Sequence, residues 1–379
     1  MNLKRLERAW RALWIGAVTR LLARPRGTAV PEWDRQRHRV LFLRHDRAGD
    51  MILSTAVIRA IARSHPGLVL DVLASPANAA LLRAFDDVDT VQIFDKRRLR
   101  AYPATLWRLR RARYDVVVDC MVTAPSLTTL LLMLASGARH RVGVSGRGND
   151  AAITLPASPA DPARGNHMVD HLARLAEPFG VDVARLELRP VLALTDDERA
   201  WAEAAWGDPP NAGGTSTPRR PRFLVNISAG TAPRLWPEER YVAVMQRLRD
   251  HAPTCRILVI GAPTPDERQR AAHIAQRGAG CVVETPSLRD AVALVATADF
   301  VFTPDTSIAH AASAFQRPTV AMYIRGTSER WGLYGTLGRS LESSGPTLAS
   351  LPLEPVLAAV DEVVRETRES WGSGREARV

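Results

Sequence analysis

Apolar residues along the chain gather in short unbroken runs that alternate with longer stretches of helical spacing. The run at 40–43, inside RVLFLR (39–44), stops at Arg44, and the next apolar pattern, MILSTAVIRAIARSHP (51–66), has helical period and ends at Pro66. The same alternation continues. LVLDVLAS (68–75), VDTVQIF (88–94), DVVVDC (115–120) and HRVGVS (140–145) read as strands. Between them NAALLRAF (78–85), YPATLWRLRRARY (102–114) and APSLTTLLLMLASG (124–137) read as helices. HMVDHLARLAEPFGV (167–181) follows as a helix and RPVLAL (189–194) as an extended segment.

GDPPNAGGTSTPRRPR (207–222), dense in Pro, Gly and Thr, reads as a linker. Beyond it the alternation restarts. FLVNIS (223–228), CRILVIG (255–261), CVVE (281–284), DFVFTP (299–304) and PTVAMY (318–323) are the expected strands. PEERYVAVMQRLRDHAP (237–253), DERQRAAHIAQRG (266–278), SLRDAVALVATA (287–298), SIAHAASAF (307–315) and LEPVLAAVDEVVRETRES (353–370) are the expected helices. Strands alternating with helices imply parallel sheets covered on both faces. The expected organisation is an N-terminal helix (1–27), a first Rossmann-like domain (38–206), the linker (207–222), a second Rossmann-like domain (223–370) and a disordered tail (371–379). Ligands of such sheets lie at the carboxyl ends of the strands. A two-domain enzyme of this kind is expected to work in the cleft between its halves.

Composition adds two constraints. The chain of 379 residues is 46% hydrophobic and carries a formal net charge of +11, so an anionic partner is expected. Almost all of the basic residues are Arg; only Lys4 and Lys96 are lysines. Three cysteines, Cys120, Cys255 and Cys281, form no CxxC pair and no metal-like cluster, which favours a reducing compartment and implies no metal. No run is long and apolar enough to span a membrane. The N-terminal stretch lacks the form of a cleavable signal. It sets Leu3, Leu6, Trp10, Leu13, Trp14, Val18 and Leu21 at helical spacing, with Arg5, Arg8, Arg11 and Arg20 largely elsewhere on the wheel. Such a helix either lies in a membrane interface or packs on the protein.

Three constellations carry candidate chemistry. In HDRAGD (45–50), Asp50 stands where the first strand hands over to a helix, beside Arg44, His45 and Arg47. One reading makes it the helix N-cap; the other makes it a general base working on a hydroxyl near anionic groups. In NISAGTAPRLWPEERY (226–241), small residues around Gly230 let backbone N–H groups approach a ligand. Ser228 and Thr231 add hydroxyls, Arg234 adds a charge, and the helix beginning at Pro237 offers its N-terminus to an anion. In FTPDTSIAHAASAF (302–315), Asp305 or Thr306 caps a helix, Thr306 and Ser307 are phosphate donors, and His310 shares the face of Thr306. The acidic DDVD (86–89) reads as a turn, and neither GxGxxG nor GxxxxGK[ST] occurs.

In these residues the chain resembles the ADP-heptose heptosyltransferases, glycosyltransferase family nine. LRHDRAGDMILSTAVIRAI is similar to the family's R-x-D-x-x-GD segment and HMVD to its H-x-V-D helix. SAGTAPRLWPEERY resembles its G-x-x-x-K-x-WP motif and TPDTSIAHAA its D-T-G-x-x-H-x-A motif. Two positions depart from the pattern: Arg234 replaces the Lys and Ser307 replaces the Gly. The resemblance implies a GT-B fold of two Rossmann-like domains facing a cleft, and an inverting, metal-independent sugar transfer with no cofactor. It implies Asp50 as base. Ser228, Gly230, Thr231, Arg234, Asp305, Thr306, Ser307 and His310 would hold the nucleotide-sugar, ADP-heptose by resemblance. Arg44, Arg47 and Arg63 would meet a lipid-linked glycan acceptor. The expected location is cytoplasmic, at the inner face of the cytoplasmic membrane. Other readings stay open: a GT-B transferase or epimerase using another nucleotide-sugar, or a non-catalytic, membrane-associated polyanion binder. No nucleic-acid motif supports a nucleic-acid partner.

Overall fold

Each half of the chain is built on a six-stranded parallel sheet. The structure, a computed structural model, describes residues 3–22, 30–161, 165–186, 188–207 and 220–368. It divides into two units, Met1–Leu188 and Arg189–Val379.

In the first unit the strands are β1 (His38–Arg44), β2 (Leu68–Ala74), β3 (Thr90–Ile93), β4 (Val116–Asp119), β5 (His140–Val144) and β6 (Leu155–Ala157), in the spatial order β3-β2-β1-β4-β5-β6. The central strands are apolar runs because both faces are covered: Val40, Leu41, Phe42 and Leu43 are all fully buried. The helices are α1 (Leu3–Leu22), α2 (Ala48–Ala62), α3 (Tyr102–Ala112), α4 (Leu127–Ser136) and α5 (Met168–Ala173). One core joins Val18 of α1, Leu109 of α3, and Leu130 and Met133 of α4 to Leu41, Leu43 and Val117 of the sheet. α1 thus packs on the body of the protein, yet Trp10, Leu13, Trp14 and Leu21 remain exposed.

The second unit repeats the plan. α6 (Asp196–Trp206) precedes β7 (Arg222–Asn226), α7 (Glu238–His251), β8 (Arg256–Ile260), α8 (Pro265–Arg277), β9 (Cys281–Val282) and α9 (Leu288–Thr297). Then come β10 (Phe300–Pro304), α10 (Ser307–Ala314), β11 (Thr319–Tyr323), α11 (Ser328–Trp331), β12 (Gly338–Glu342) and α12 (Leu353–Thr367). The order β12-β11-β10-β7-β8-β9 is that of the first sheet read from the other edge. In both sheets the strand order reverses between two central neighbours, β1/β4 and β7/β10. That is where an open α/β sheet binds its ligand.

Several elements differ from the sequence reading. Residues 167–181 do not form one helix. α5 ends at Ala173 and a 3-10 segment, Arg174–Phe179, carries Pro178, which cannot continue an α-helix. Of 78–85 only a 3-10 turn forms, Ala79–Leu82. The edge strands β6 and β12 add to each sheet without the apolar run that marks a buried strand. α6 also lies beyond the reading, although Thr195 and Glu198 form a complete capping box at its start. Residues 189–206, assigned by sequence to the first half, belong to the second unit. Trp206 is fully buried there, its Nε1 donating to Thr297 Oγ1 at 2.8 Å, and Arg289 pairs with Glu198. Of the expected linker, residues 208–219 lie outside the described residues, as does the tail 371–379.

Candidate active site

Two polar clusters stand at the two reversal points, one in each unit. In the first unit β1 and β4 run side by side with Leu43 in register with Asp119, so the loops after both strands leave from the same edge. Arg44, the last residue of β1, does not face outward as an acceptor-binding cation. It is buried: Nη1 donates to Asp46 Oδ2 at 3.1 Å and to Cys120 Sγ at 3.3 Å, and Nε donates to the Asp50 carbonyl at 3.1 Å. Its Nη2 lies 3.9 Å from Asp50 Oδ1. The 44–47 turn is held from behind by Asn78, fully buried, whose Nδ2 donates to the Arg44 carbonyl at 3.1 Å.

Asp50 is the third residue of α2, not its cap; the cap position is Arg47. The carboxylate still lies in the first helical turn, where the helix dipole favours an anion. Burial nonetheless pushes the Asp50 carboxyl above the ordinary carboxylate range; Arg44 pulls it back, Asp46 pushes it further up and Arg47 pulls it down. His45 is driven towards its neutral form by burial, its Nε2 3.4 Å from Thr129 Oγ1. Asp119, buried and accepting from the Met121 N–H at 2.9 Å, is pushed up by burial to about 6. Of the three arginines expected to meet an acceptor, Arg47 is exposed beside Asp50. Arg63 is not brought there. It caps the far end of α2, about 20 Å away by helical rise, with its Nε 2.6 Å from Asp87 Oδ1.

In the second unit the cluster spans the loops after β7 and β10. Arg234 grips Asp305 twice: Nη1 donates to its carbonyl at 3.0 Å and Nη2 lies 2.7 Å from Oδ2. Thr306 caps α10, its Oγ1 accepting from the Ile308 N–H at 3.3 Å, so the cap is Thr306 and not Asp305. Ser307 opens the helix, and His310 lies buried one turn further on. Asn226, at the end of β7, ties both loops together: Nδ2 donates to Thr303 Oγ1 at 2.9 Å and to Thr306 Oγ1 at 3.1 Å. Its Oδ1 accepts from the Ser228 N–H at 3.1 Å and from Ser228 Oγ at 2.7 Å. Gly230 takes the left-handed conformation, φ +67°, that turns the loop towards exposed Thr231. Burial and the Asp305 carboxylate hold the Tyr323 phenol well above its usual range, so it keeps its proton.

Sequence reasoning passed over Asn78, Asp119, Asn226 and Glu267. Glu267 accepts from the Ala262 N–H at 2.6 Å and the Ala229 N–H at 3.3 Å, coupling the loop after β7 to the loop after β8. Beside it opens a cavity of about 230 Å³ lined by Gly261, Ala262, Pro263, Val283, Thr285 and Pro286. The only signal in the sequence is that each of these polar residues ends or follows a strand. Among the described residues no group of three or more His, Cys, Asp or Glu is arranged to hold a metal ion.

The geometry can be set beside known proteins. The chain is 24% identical over 312 residues to lipopolysaccharide heptosyltransferase 2 of Escherichia coli, a match covering 75% of this chain and 82% of that protein. A family 9 glycosyltransferase from Veillonella parvula superposes with a TM-score of 0.73 at 17% identity, over 89% of this chain and 99% of the other. The Escherichia coli ADP-heptose lipopolysaccharide heptosyltransferase II superposes with a TM-score of 0.66 at 19% identity, over 87% and 99%. These likenesses establish the GT-B fold, in which two Rossmann-like domains are paired in one chain. The model of glycosyltransferase family 9 (heptosyltransferase) matches residues 104–348, well over half the chain. The two clusters lie on the fold of a sugar-transferring enzyme, and the chain belongs to glycosyltransferase family 9, the heptosyltransferases.

Proposed function

We propose that the protein is an inverting, metal-independent glycosyltransferase that moves a heptose from ADP-heptose onto a lipopolysaccharide core or related glycan. The observation that carries this reading is the state of Asp50. A carboxylate at the reversal point of the first sheet, raised above its ordinary range but exposed enough to be reached, suits a general base. The acceptor hydroxyl gives its proton to Asp50 as its oxygen bonds to the anomeric carbon. The bond from that carbon to the phosphate oxygen breaks, and ADP departs with the electron pair.

The charge that develops on the diphosphate is met in this reading by the cradle of the second unit: Arg234, the Ser228–Gly230–Thr231 loop, and Thr306 and Ser307 at the start of α10. Asp305 holds Arg234, and His310 supports the same turn from within α10. The small, mostly apolar cavity beside Glu267 suits a nucleobase. On the acceptor side, exposed Arg47 is positioned to meet a phosphate or acidic sugar, whereas Arg44 acts inward by ordering the Asp50 turn. The names of the relatives, which specify heptose and lipopolysaccharide, support the choice of donor and acceptor. A lipid-linked acceptor places the enzyme at the cytoplasmic face of the cytoplasmic membrane.

The test compares wild type, Asp50→Asn and Arg234→Ala with ADP-heptose and a lipopolysaccharide core acceptor, with ADP, UDP and GDP affinities measured alongside. Asp50→Asn is expected to keep its ADP affinity and lose turnover by a factor of about 100 or more. Full turnover in that variant overturns the base assignment. Tighter binding of UDP or GDP overturns the donor.

A further inference from the structure

We infer that the exposed apolar residues of α1, α4 and α3 form one shallow docking surface for an anionic lipid bilayer. α4 lies in the middle of this layer, packed against α1 and α3. The three helices share a core through Val18, Leu109, Leu130 and Met133. A helix with its apolar stripe satisfied in this way ordinarily turns polar residues to water. These three do not. α1 exposes Trp10 (62%), Leu13 (70%) and Trp14 (44%), α4 exposes Leu131 and Leu134 (40% each), and α3 exposes Trp107 (60%). Single exposed apolar residues are commonplace, but large ones on three adjacent helices mark an interaction surface.

The charge around these residues selects the occupant. α3 and its cap residue carry Arg108, Arg110, Arg111 and Arg113 and no acid. The Arg111 guanidinium lies 5.1 Å from the centre of the Trp107 ring. On α1 Arg20 is exposed, while α4 is uncharged. Tryptophan beside arginine, flanking an uncharged leucine ridge, matches the headgroup region of a bilayer, with the ridge meeting the acyl boundary and the cations meeting lipid phosphates. No helix among the described residues is long and apolar enough to cross a membrane, so the surface lies on the bilayer. The inference deepens the reading of a lipid-linked acceptor, yet it fails separately, because docking needs neither donor nor turnover.

The experiment is co-sedimentation of the full chain with phosphatidylcholine vesicles, with and without phosphatidylglycerol. Wild type is expected to bind the anionic vesicles, more weakly as salt rises. Leu131→Glu with Leu134→Glu, and Trp107→Glu on its own, should each cut the bound fraction about tenfold or more. Circular dichroism and ADP affinity without vesicles should stay at wild-type values in both. Wild type left in the supernatant at low salt overturns the proposal. So does binding that is lost in Trp10→Glu but intact in the α3 and α4 variants, which would make α1 a lone anchor. Self-association that disappears in the same variants, without any vesicle binding, assigns the face to a second copy and also overturns it.

Discussion

Arg44 reaches Asp50 through the backbone before it reaches the carboxylate: Nε donates to the Asp50 carbonyl at 3.1 Å, while Nη2 stays 3.9 Å from Oδ1. The guanidinium therefore fixes the turn without closing a tight ion pair that would hold the acid at a low pKa. With burial and Asp46 pushing the other way, Asp50 stays above the ordinary carboxylate range.

A base must be ionised to act, so activity should fall as pH drops through this raised pKa. The acid limb of log kcat/KM against pH is expected above the usual carboxylate range. Asp46→Asn removes a neighbouring negative charge and should move the limb to lower pH. Arg47→Ala removes a positive one and should move it to higher pH. Arg47 is exposed, so high salt should erase its effect while leaving most of that of Asp46. Limbs that coincide in all three proteins would take Asp50 out of the rate.

At Arg234 the question is whether charge or shape matters. The guanidinium spans the carbonyl and carboxylate of Asp305, a two-point hold that an ammonium cannot copy. Arg234→Lys is expected to keep ADP affinity within a few-fold while losing about 1 kcal/mol of stability, the worth of one hydrogen bond. Arg234→Ala should lose ADP affinity about tenfold or more, because no cation remains for the diphosphate. Calorimetric titration with ADP and urea unfolding separate the two effects. Equal ADP losses in both variants would show that the fork itself binds the ligand.

The α/β alternation was legible because its strongest elements are buried on both faces: Val40 to Leu43 and Phe223 to Val225 are fully buried, so their strands are unbroken apolar runs. The edge strand β12, GRSLE, has no fully buried residue and no such run. Asp50, Arg234 and Thr306 were legible as site candidates because each follows a strand and opens a turn or helix. From sequence Arg44 reads as an outward cation, whereas the structure turns it inward. Its burial depends on Cys120, 76 positions away in sequence, which only the pairing of β1 with β4 brings beside it. The role of Asn226 is hidden from sequence for the same reason: its partner Thr303 lies 77 positions away, and an Asn at a strand end reads locally as a turn residue.

Asn226 permits a test of the cradle that leaves the fold standing. Its oxygen accepts from Ser228 and its nitrogen donates to two threonine hydroxyls. In Asn226→Asp the carboxylate still accepts from Ser228, and the Thr306 hydroxyl can rotate to donate, while that of Thr303 does so by giving up its bond to the Pro304 carbonyl. What changes is one negative charge at the place proposed for the diphosphate. ADP affinity should fall about tenfold or more, while adenosine, which has no phosphate, should bind within a few-fold of wild type. A matching loss for adenosine would mean that the loop had collapsed.

Asp119 offers a stability measurement that is independent of the reaction. Its carboxyl is pushed by burial to about 6, against an ordinary value of 3.8. The folded protein thus holds this proton more tightly than the unfolded chain, and the sign follows: the group lowers stability as pH rises from about 4 to about 6, and the loss then levels off. Two pH units correspond to about 3 kcal/mol. Asp119→Asn keeps an oxygen to accept from the Met121 N–H and has no charge to bury. Urea unfolding of the two proteins side by side cancels the contributions of Asp50 and His45. The variant should gain on wild type across that interval and stay ahead at higher pH. A difference that does not change with pH would mean that Arg44 already neutralises the Asp119 carboxylate, and that the buried acid at the β1/β4 edge is ionised throughout.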